Sequence, residues 1–378
     1  MSAFVAIVAD TWRQSVQQIV FVIMIGLVLL VTSLFIVLPQ SKTDAEGRQV
    51  MAMMSDSQPG ATYERLWDGL YTELVNRQIG TNARTEEKRK EAVKWEDALR
   101  LAQKDFADAQ RAGAPPEQLD EHVREIEATK AEVVAANERL ERERRILREE
   151  AGVHVEDRKA KLTPLEQGVQ FWLDGAIVAL YWASLLGFIA AGAGFFPGLL
   201  QSGSVDVVLS RPISRLQVYA GKYIGGIILY SIVMTVAVLV LYFAIGLRLG
   251  VWHGRLFLAL PIMVFSAALL YAIVALIGIR TRSTSFAMGL GYFFLVVVDW
   301  ALALIQAGAL AEFSGLAWLR PVADVVRVVF PNFRTMQFWS SAVALGVPIF
   351  EWPLFVTAFA WFLICLAWGY HLFHKADY

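Results

Sequence analysis

Long uncharged, apolar segments alternate with polar ones along this chain. The first apolar segment runs from Ile19 to Leu38, and five more follow after residue 168. About 20 residues of helix, at 1.5 Å per residue, cross a hydrocarbon core of about 30 Å. The pattern therefore predicts six membrane-spanning helices. The later five are expected at Phe171–Phe196, Tyr223–Leu247, Leu256–Ile279, Ser285–Ala307 and Trp352–Phe373.

The polar stretch between the first two apolar segments has a heptad pattern. From Thr85 to Ala112 apolar residues recur at steps of three and four, at Ala92, Trp95, Leu99, Ala102, Phe106 and Ala109. From Glu117 to Glu150 one heptad position holds Leu119, Ile126, Val133, Leu140 and Leu147, and the other holds Val123, Lys130, Asn137 and Arg144. The residues Gly113-Ala114-Pro115-Pro116 break the helix between them. This predicts an antiparallel coiled-coil hairpin with arms of roughly 40–50 Å. A charged single helix or a flexible linker would not need the regular spacing.

Three flanking segments have weaker patterns. Residues 2–14 place Phe4, Val5, Val8 and Trp12 on one helical face, which predicts a helix in the membrane interface, or a frayed first turn of the next helix. Ala61–Ile79 is predicted to be helical with Leu66, Leu70 and Leu74 on one face. Ala309–Glu351 is too polar to span the membrane and is predicted to form short helices that dip into the outer leaflet.

Composition and charge agree with this division. The 378 residues are 56% hydrophobic with a mean hydropathy of +0.48, yet residues 41–170 hold 22 of the 34 basic and 27 of the 35 acidic residues. The short loops on the side of the termini hold more basic than acidic residues, which places both termini in the cytoplasm. The predicted fold is an all-α membrane protein with six transmembrane helices, an N-terminal interfacial helix and an extracytoplasmic antiparallel coiled-coil hairpin. Its parts are residues 1–40 (interfacial helix and first span), 41–168 (coiled-coil insertion) and 169–378 (five further spans).

Motifs for chemistry within the chain are absent from the sequence. Gly221-Lys222 is followed by Tyr223, so no nucleotide-binding P-loop forms, and the five histidines do not cluster as metal ligands. The single cysteine, Cys365, excludes an intrachain disulfide. Asp299 lies well inside a span, where it is either a pathway residue or a carboxylate that snorkels outward or pairs with an arginine. We therefore expect no enzyme, no bound cofactor and no metal.

The polar connection between the second and third predicted spans is unusual. Pro212 stops a short, partly apolar helix that precedes it, and Ser214 is suited to cap the next helix. Arg211 and Arg215 have the reach to bind carboxylates or carbonyls of a partner protein. Gly221 and a glycine four residues later permit close helix approach. A simple positive-inside loop without a partner is the alternative.

The segment from Gln201 to Arg215, followed by Gly221-Lys222, resembles permeases of the type-2 exporter family of ABC transporters. It is similar in particular to the branch of the nitrous-oxide-reductase maturation and gliding-motility permeases. The match runs from Gly203 to Lys222 and departs at Gln201, where the family usually has Glu. The resemblance also covers the six-span plan but not the coiled-coil insertion.

The resemblance implies a permease subunit in the bacterial cytoplasmic (inner) membrane, driven through a cytoplasmic loop at residues 198–222. The loop residues that it implies are Gln201, Gly203, Asp206, Arg211, Pro212, Ser214, Arg215, Gly221 and Lys222. The implied partners are ABC ATPase subunits, which bind the ATP, and a second copy of the chain or a related permease. We expect no nucleic acid. The alternative function is a non-transporting mechanotransmission or envelope-assembly device that acts on an extracytoplasmic protein through the coiled coil.

Overall fold

The structure, a computed structural model, describes residues 19–37, 39–44, 47–52, 61–80, 83–200, 214–301, 329–347 and 351–375. The predicted interfacial helix at residues 2–14 lies outside these ranges. Most of the segment between the last two spans also lies outside them.

Helices form most of the described chain, and their bounds are as follows. They are α1 Ile19–Val37, α2 Ala61–Gly80, α3 Ala83–Arg111, α4 Pro116–Lys161, α5 Pro164–Gly192, α6 Phe195–Leu199, α7 Arg215–Leu249, α8 Ala259–Thr281, α9 Thr284–Ala301, α10 Phe333–Leu345 and α11 Trp352–Lys375. A 3-10 helix, Gly254–Leu258, precedes α8, and α9 contains a π-helical stretch at Phe293–Val298.

Among the residues that the structure describes, five helical segments are long and apolar enough to cross a membrane. They are Pro164–Leu199, Arg215–Leu249, Gly254–Thr281, Thr284–Ala301 and Trp352–Lys375. These correspond to the five later spans predicted from the sequence, and the chain is therefore a multi-pass membrane protein. In α1 only a shorter apolar helix, Met24–Val37, is found, so the sixth span stays a prediction.

Helices α3 and α4 form an antiparallel pair joined by the turn at residues 112–115. Ion pairs link Arg139 to Glu91 at 2.6 Å and Arg84 to Glu143 at 3.9 Å, so early residues of α3 face late residues of α4. At about 1.5 Å per residue α3 is roughly 44 Å long, as expected, but α4 has 46 residues and is roughly 69 Å long. Residues Glu64–Thr163 form a compact unit of their own.

The burial of side chains confirms the predicted seam of α3 and one of the two heptad positions predicted for the α4 seam. The second heptad position of α4 was predicted wrongly. The inward-facing residues of α4 are Leu119, His122, Ile126, Thr129, Val133, Ala136, Leu140, Glu143 and Leu147. The predicted second position was offset by one residue, because Val123 is 40% exposed and Lys130 is exposed. Asn137 and Arg144, farther along α4, are half-buried.

The buried face of α2 also differs from the prediction. Leu74 is buried as expected, but Leu66 is 42% exposed, and Trp67 and Tyr71 are buried instead. The two rings stack with centroids 5.0 Å apart. Large aromatic rings remove more apolar area from water than leucine does, and this favours the aromatic face.

A short antiparallel β-hairpin, β1 Gln40–Thr43 with β2 Gln49–Ala52, was not predicted from the sequence. Met51 in β2 is fully buried and lies against Gly168 at the start of α5. A Cβ atom at Gly168 would lie 2.6 Å from the Met51 Cβ, so the strand can approach only because this residue is glycine. Strands of four residues have too little alternation to be recognised in a sequence.

Helix α8 is the centre of the membrane-spanning bundle. It contacts α5, α6, α7, α9, α10 and α11. Its inward residues Met263, Leu269 and Leu270 are completely buried. Helix α1 packs against α5 and α7, and Gly187 of α5 leaves room for Met24 of α1. Helix α8 therefore shares packing contacts with more of the other helices in the bundle than α1 does.

Candidate functional site

The loop that the sequence singled out is described only at its two ends. Residues 201–213, which include Gln201, Gly203, Asp206, Arg211 and Pro212, lie outside the described ranges. The described ends are the short helix α6, which runs into the loop, and the segment from Ser214 to Lys222, which is its last part. The candidate site is built from these ends and the helices that hold them.

Ser214 caps the start of α7, as the sequence predicted. Its hydroxyl accepts a hydrogen bond from the Gln217 N–H at 3.2 Å, and the Gln217 side chain accepts one from the Ser214 N–H at 3.1 Å. This reciprocal capping box satisfies two N–H groups that a helix start would otherwise leave unpaired. The position where helix α7 begins is therefore fixed.

Arg215 is bound by the chain itself. Its Nη1 donates to the carbonyl of His374, near the end of α11, at 2.5 Å. A cation at a helix C-terminus also interacts favourably with the negative end of the helix dipole. The contact joins the exit of the loop to the last span, whereas the sequence suggested a contact with a partner protein.

Tyr219 makes a second link between α7 and α11. Its hydroxyl donates to the Leu366 carbonyl at 3.1 Å, and its ring lies 5.8 Å from that of Phe373. The helices approach closely at Gly369, where a Cβ atom would lie 2.7 Å from the Tyr219 hydroxyl oxygen. Position 369 therefore has room for no side chain while this hydrogen bond is made.

Gly221 and Lys222 are both buried, and Lys222 is only 3% exposed. The close helix approach that the sequence suggested near Gly221 is seen at Gly226. A Cβ atom there would lie 2.9 Å from the Tyr271 ring of α8.

A cluster of aromatic side chains joins both ends of the loop to α8. The members of this Tyr271 cluster are Phe188, Phe195, Phe196, Tyr219, Tyr223 and Tyr271. Tyr223 stacks on Tyr271 with ring centroids 5.0 Å apart and planes 14° apart. Phe196, in α6, lies 5.3 Å from Tyr219 and 6.1 Å from Tyr271. Phe196 therefore contacts Tyr219 directly, and it shares the ring of Tyr271 with Tyr223.

The Tyr271 cluster was not predicted from the sequence, although part of the signal is present there. Phe195-Phe196 comes just before the loop, and Tyr219 and Tyr223 follow it at a spacing of four residues, on one helical face. Nothing in the sequence connects these residues to Tyr271, some fifty residues later. Only the packing of α8 in the centre of the bundle does so.

Asp299 lies in a different part of the bundle and contacts the start of α10. Its Oδ1 accepts hydrogen bonds from the backbone N–H of Phe333 at 2.9 Å and of Arg334 at 3.4 Å. It is 3% exposed. These contacts give the carboxylate a structural partner inside the bundle, so it does not snorkel outward.

The described residues hold no group of three or more His, Cys, Asp or Glu side chains placed to bind a metal ion. Cys365 is buried in α11 as a free thiol. The prediction that the chain binds no cofactor stays a prediction.

Comparison with known proteins gives two matches. A family model described as "ABC-2 family transporter protein" matches residues 5–378. The probable ABC transporter permease protein NosY of Stutzerimonas stutzeri is 26% identical over 199 residues, which are 46% of this chain and 69% of that protein.

Proposed function

Because the chain belongs to the ABC-2 family of transporter proteins, we propose that it is the membrane-spanning subunit of an ABC exporter driven by separate ATPase subunits. It works as a dimer with a second copy of itself or a related permease, in the bacterial inner membrane with both termini in the cytoplasm. The spans carry few charges, which favours a lipid-like or hydrophobic cargo. ATP is bound and hydrolysed by the partner subunits, which act on the loop at residues 198–222.

The observation that carries this proposal is that both ends of the loop are fastened to other spans. Phe196 before the loop and Tyr223 after it meet on Tyr271 of α8, and Arg215 and Tyr219 bind backbone carbonyls of α11. A loop that only connected two spans would need none of these contacts. Because close-packed interiors transmit displacement with little compression, a push on the loop moves α7, α8 and α11 together.

The coupling can be tested with one charge reversal and a matched control. Arg211→Glu places a negative charge on the loop, and Arg255→Glu makes the same change in the connection between α7 and α8, on the predicted opposite face of the membrane. We expect Arg211→Glu to weaken co-purification of a P-loop ATPase and to reduce ATP hydrolysis by the complex. Arg255→Glu should leave both unchanged.

Two results would contradict the proposal. One is purification of the tagged chain from its native membrane without any P-loop ATPase. The other is an Arg211→Glu variant that binds the ATPase and hydrolyses ATP as the wild type does. Equal losses in both variants would point to a general effect of charge on folding.

The length of α3 and α4 favours a second candidate, a mechanotransmission or envelope-assembly device. The two helices have 29 and 46 residues, and the Arg139–Glu91 ion pair joins them. A coiled coil of this length, placed outside the cytoplasm, is suited to binding another envelope protein. Replacing Thr85–Glu150 by a short Gly-Ser linker separates the candidates. An exporter retains uptake of its cargo into inside-out vesicles, whereas a mechanical device loses its output although ATP hydrolysis continues.

A further inference from the structure

Helix α10 is a half-length helix that begins in the interior of the bundle. Its 13 residues are about 20 Å long, too short for a core of about 30 Å. Its first residue, Phe333, is fully buried, and the Phe333 carbonyl accepts a hydrogen bond from Tyr181 of α5 at 2.9 Å. Near its other end the Ala344 carbonyl lies 2.8 Å from the His253 ring, just before the 3-10 helix that leads into α8. The helix therefore runs from the middle of the bundle to the connection between α7 and α8.

The start of α10 is closed by a side chain from another helix. Asn332 accepts a hydrogen bond from the Thr335 N–H at 2.9 Å, as an ordinary cap does. The N–H groups of Phe333 and Arg334 donate instead to Asp299 of α9. A carboxylate is favoured there, because unpaired N–H groups and the positive end of the dipole coincide at a helix start. Without Asp299 two N–H groups would be left without these partners inside the bundle.

The π-helical stretch of α9 is what aims Asp299 at α10. Buried positions in α9 recur every fourth residue, at Ala287, Gly291, Leu295 and Asp299. In a regular α-helix the eight residues from Gly291 to Asp299 would turn about 800°, leaving Asp299 about 80° beyond two full turns. The stretch Phe293–Val298 winds less per residue, because its hydrogen bonds join residues five apart. This removes most of the drift and keeps Asp299 on the buried face.

We propose that Asp299 is a latch, a positioning residue that holds α10 in place until the π stretch of α9 converts to α-helix during the transport cycle. The conversion turns the carboxylate away from the start of α10 and releases that helix from the bundle. This inference rests on the proposed function for its ATP-driven step. The sequence-based suggestion that Asp299 lies on a transport pathway stays a prediction.

Two opposing terms make the element suited to two states. A π stretch is rare in proteins, which indicates that the α-helical winding is the more favourable one for the same residues. Conversion removes the two hydrogen bonds that Asp299 accepts, so the latch opposes it. Three of the side chains that would rotate are exposed, with Phe293 at 53%, Val296 at 54% and Val297 at 46%, so their rotation changes contacts with lipid. Leu295 is buried and the Phe294 ring packs 6.2 Å from that of Phe333, so conversion also rearranges packing at the start of α10.

The latch itself is tested by hydrogen exchange on the full chain in lipid nanodiscs. Asp299→Ala should raise the exchange rate of the amides at the start of α10 by about 2- to 30-fold, the range expected for loss of a helix cap. Asp299→Glu should restore part of the protection. The control is Asp174→Asn, which changes a carboxyl on α5 that faces Ser341 of α10 and should leave these amides unchanged. Wild-type exchange in Asp299→Ala would overturn the proposal.

The switch is tested by deleting Val297. If the role of Asp299 were purely structural, this deletion variant would not differ from the wild type. The deletion lets α9 be α-helical throughout, with the aspartate seven residues past Gly291. Seven residues turn about 700°, within about 20° of two full turns, so the latch stays closed. We expect normal protection of the start of α10 in this variant and no opening in response to ATP.

Opening is measured by spin labels at Trp300→Cys and Val329→Cys in a Cys365→Ala background, using the complex with its ATPase. Both label positions are exposed, at 58% and 46%. ATP should produce a second distance population in the wild type and only one population when Val297 is deleted. A second population in the deletion variant, or none in a wild-type complex that hydrolyses ATP, would overturn the latch while the proposed function stands. If no ATPase binds, the proposed function fails and the exchange experiment alone decides the latch.

Discussion

Replacing Gly369 by alanine tests the contact that fastens the end of the loop to the last span. The new Cβ atom would lie 2.7 Å from the hydroxyl oxygen of Tyr219 but 3.5 Å from the Cζ atom of its ring. A separation below 3.0 Å is not tolerated, so the tyrosine must move away from the Leu366 carbonyl, to which it now donates at 3.1 Å.

The expected magnitude follows from three terms. Overpacking a close contact destabilises a protein by about 1–3 kcal/mol. Loss of the hydrogen bond from Tyr219 removes about 0.5–1.5 kcal/mol. Alanine is the better helix former, which returns about 1 kcal/mol. Gly369→Ala should therefore lower the free energy of unfolding by about 2 kcal/mol.

A double-mutant cycle with Tyr219→Phe makes the prediction sharper. Phenylalanine lacks the hydroxyl group, so the Cβ atom introduced by Gly369→Ala meets only a ring at an ordinary van der Waals distance. In this background Gly369→Ala should be neutral or stabilising, by up to about 1 kcal/mol. The matched control is Gly289→Ala in α9, where a Cβ atom meets no atom within 4 Å.

The assay is the unfolding free energy of the purified chain in mixed micelles, followed by circular dichroism as the mole fraction of denaturing detergent rises. Equal destabilisation by Gly369→Ala with and without the hydroxyl group of Tyr219 would refute the role of this contact. So would a loss of stability in Gly289→Ala as large as that in Gly369→Ala, because the effect would then not come from the contact.

Three further predictions concern stability. Tyr271→Phe should be neutral or stabilising, because the buried Tyr271 hydroxyl has no hydrogen-bond partner among the described residues. Tyr181→Phe loses a hydrogen bond to α10, so it should destabilise the protein by about 1 kcal/mol in the same assay. Ser214→Ala should lower the unfolding free energy by about 1 kcal/mol through loss of the cap on α7. The hydrogen bond from Lys88 lowers the pKa of Glu91 in the folded protein below its usual 4.5. The ionised Glu91 therefore stabilises the folded state at pH values above its pKa in the unfolded chain. This stabilisation is lost as the pH falls through the lower pKa of Glu91 in the folded protein. Acid titration of helicity from about pH 6 to about pH 3 should therefore show a smaller loss in Glu91→Gln than in the wild type.

The α3–α4 pair shows how far the heptad pattern reaches. Apolar residues at steps of three and four predicted the inward face of α3 correctly, and they predicted one position of α4. The second heptad position of the α4 seam holds polar or small residues, at His122, Thr129, Ala136 and Glu143. Because these residues give no hydrophobic signal, the sequence analysis placed this seam position one residue too late. Hydrophobic spacing specifies a seam only where the seam is hydrophobic.

Asp299 shows the opposite case, in which a residue was recognised without its role. The sequence marks it because a carboxylate inside an apolar span is costly unless it is paired. Its partners are backbone N–H groups more than thirty residues later, and no side-chain pattern reveals a backbone donor. The π stretch that points the carboxylate at them has the apolar sequence Phe-Phe-Leu-Val-Val-Val, which reads like any other part of a span.

The sequence by itself determined the membrane class, the five later spans, the long polar insertion and the position of the loop. Each of these follows from local composition and period, which depend on neighbouring residues only. The tertiary structure alone decided that the loop ends meet on Tyr271, that Gly369 makes room for Tyr219, and that Asp299 closes the start of α10. These contacts join residues that are distant from one another in the sequence. They depend on which faces of the helices meet, and that is set by the packing of the whole bundle.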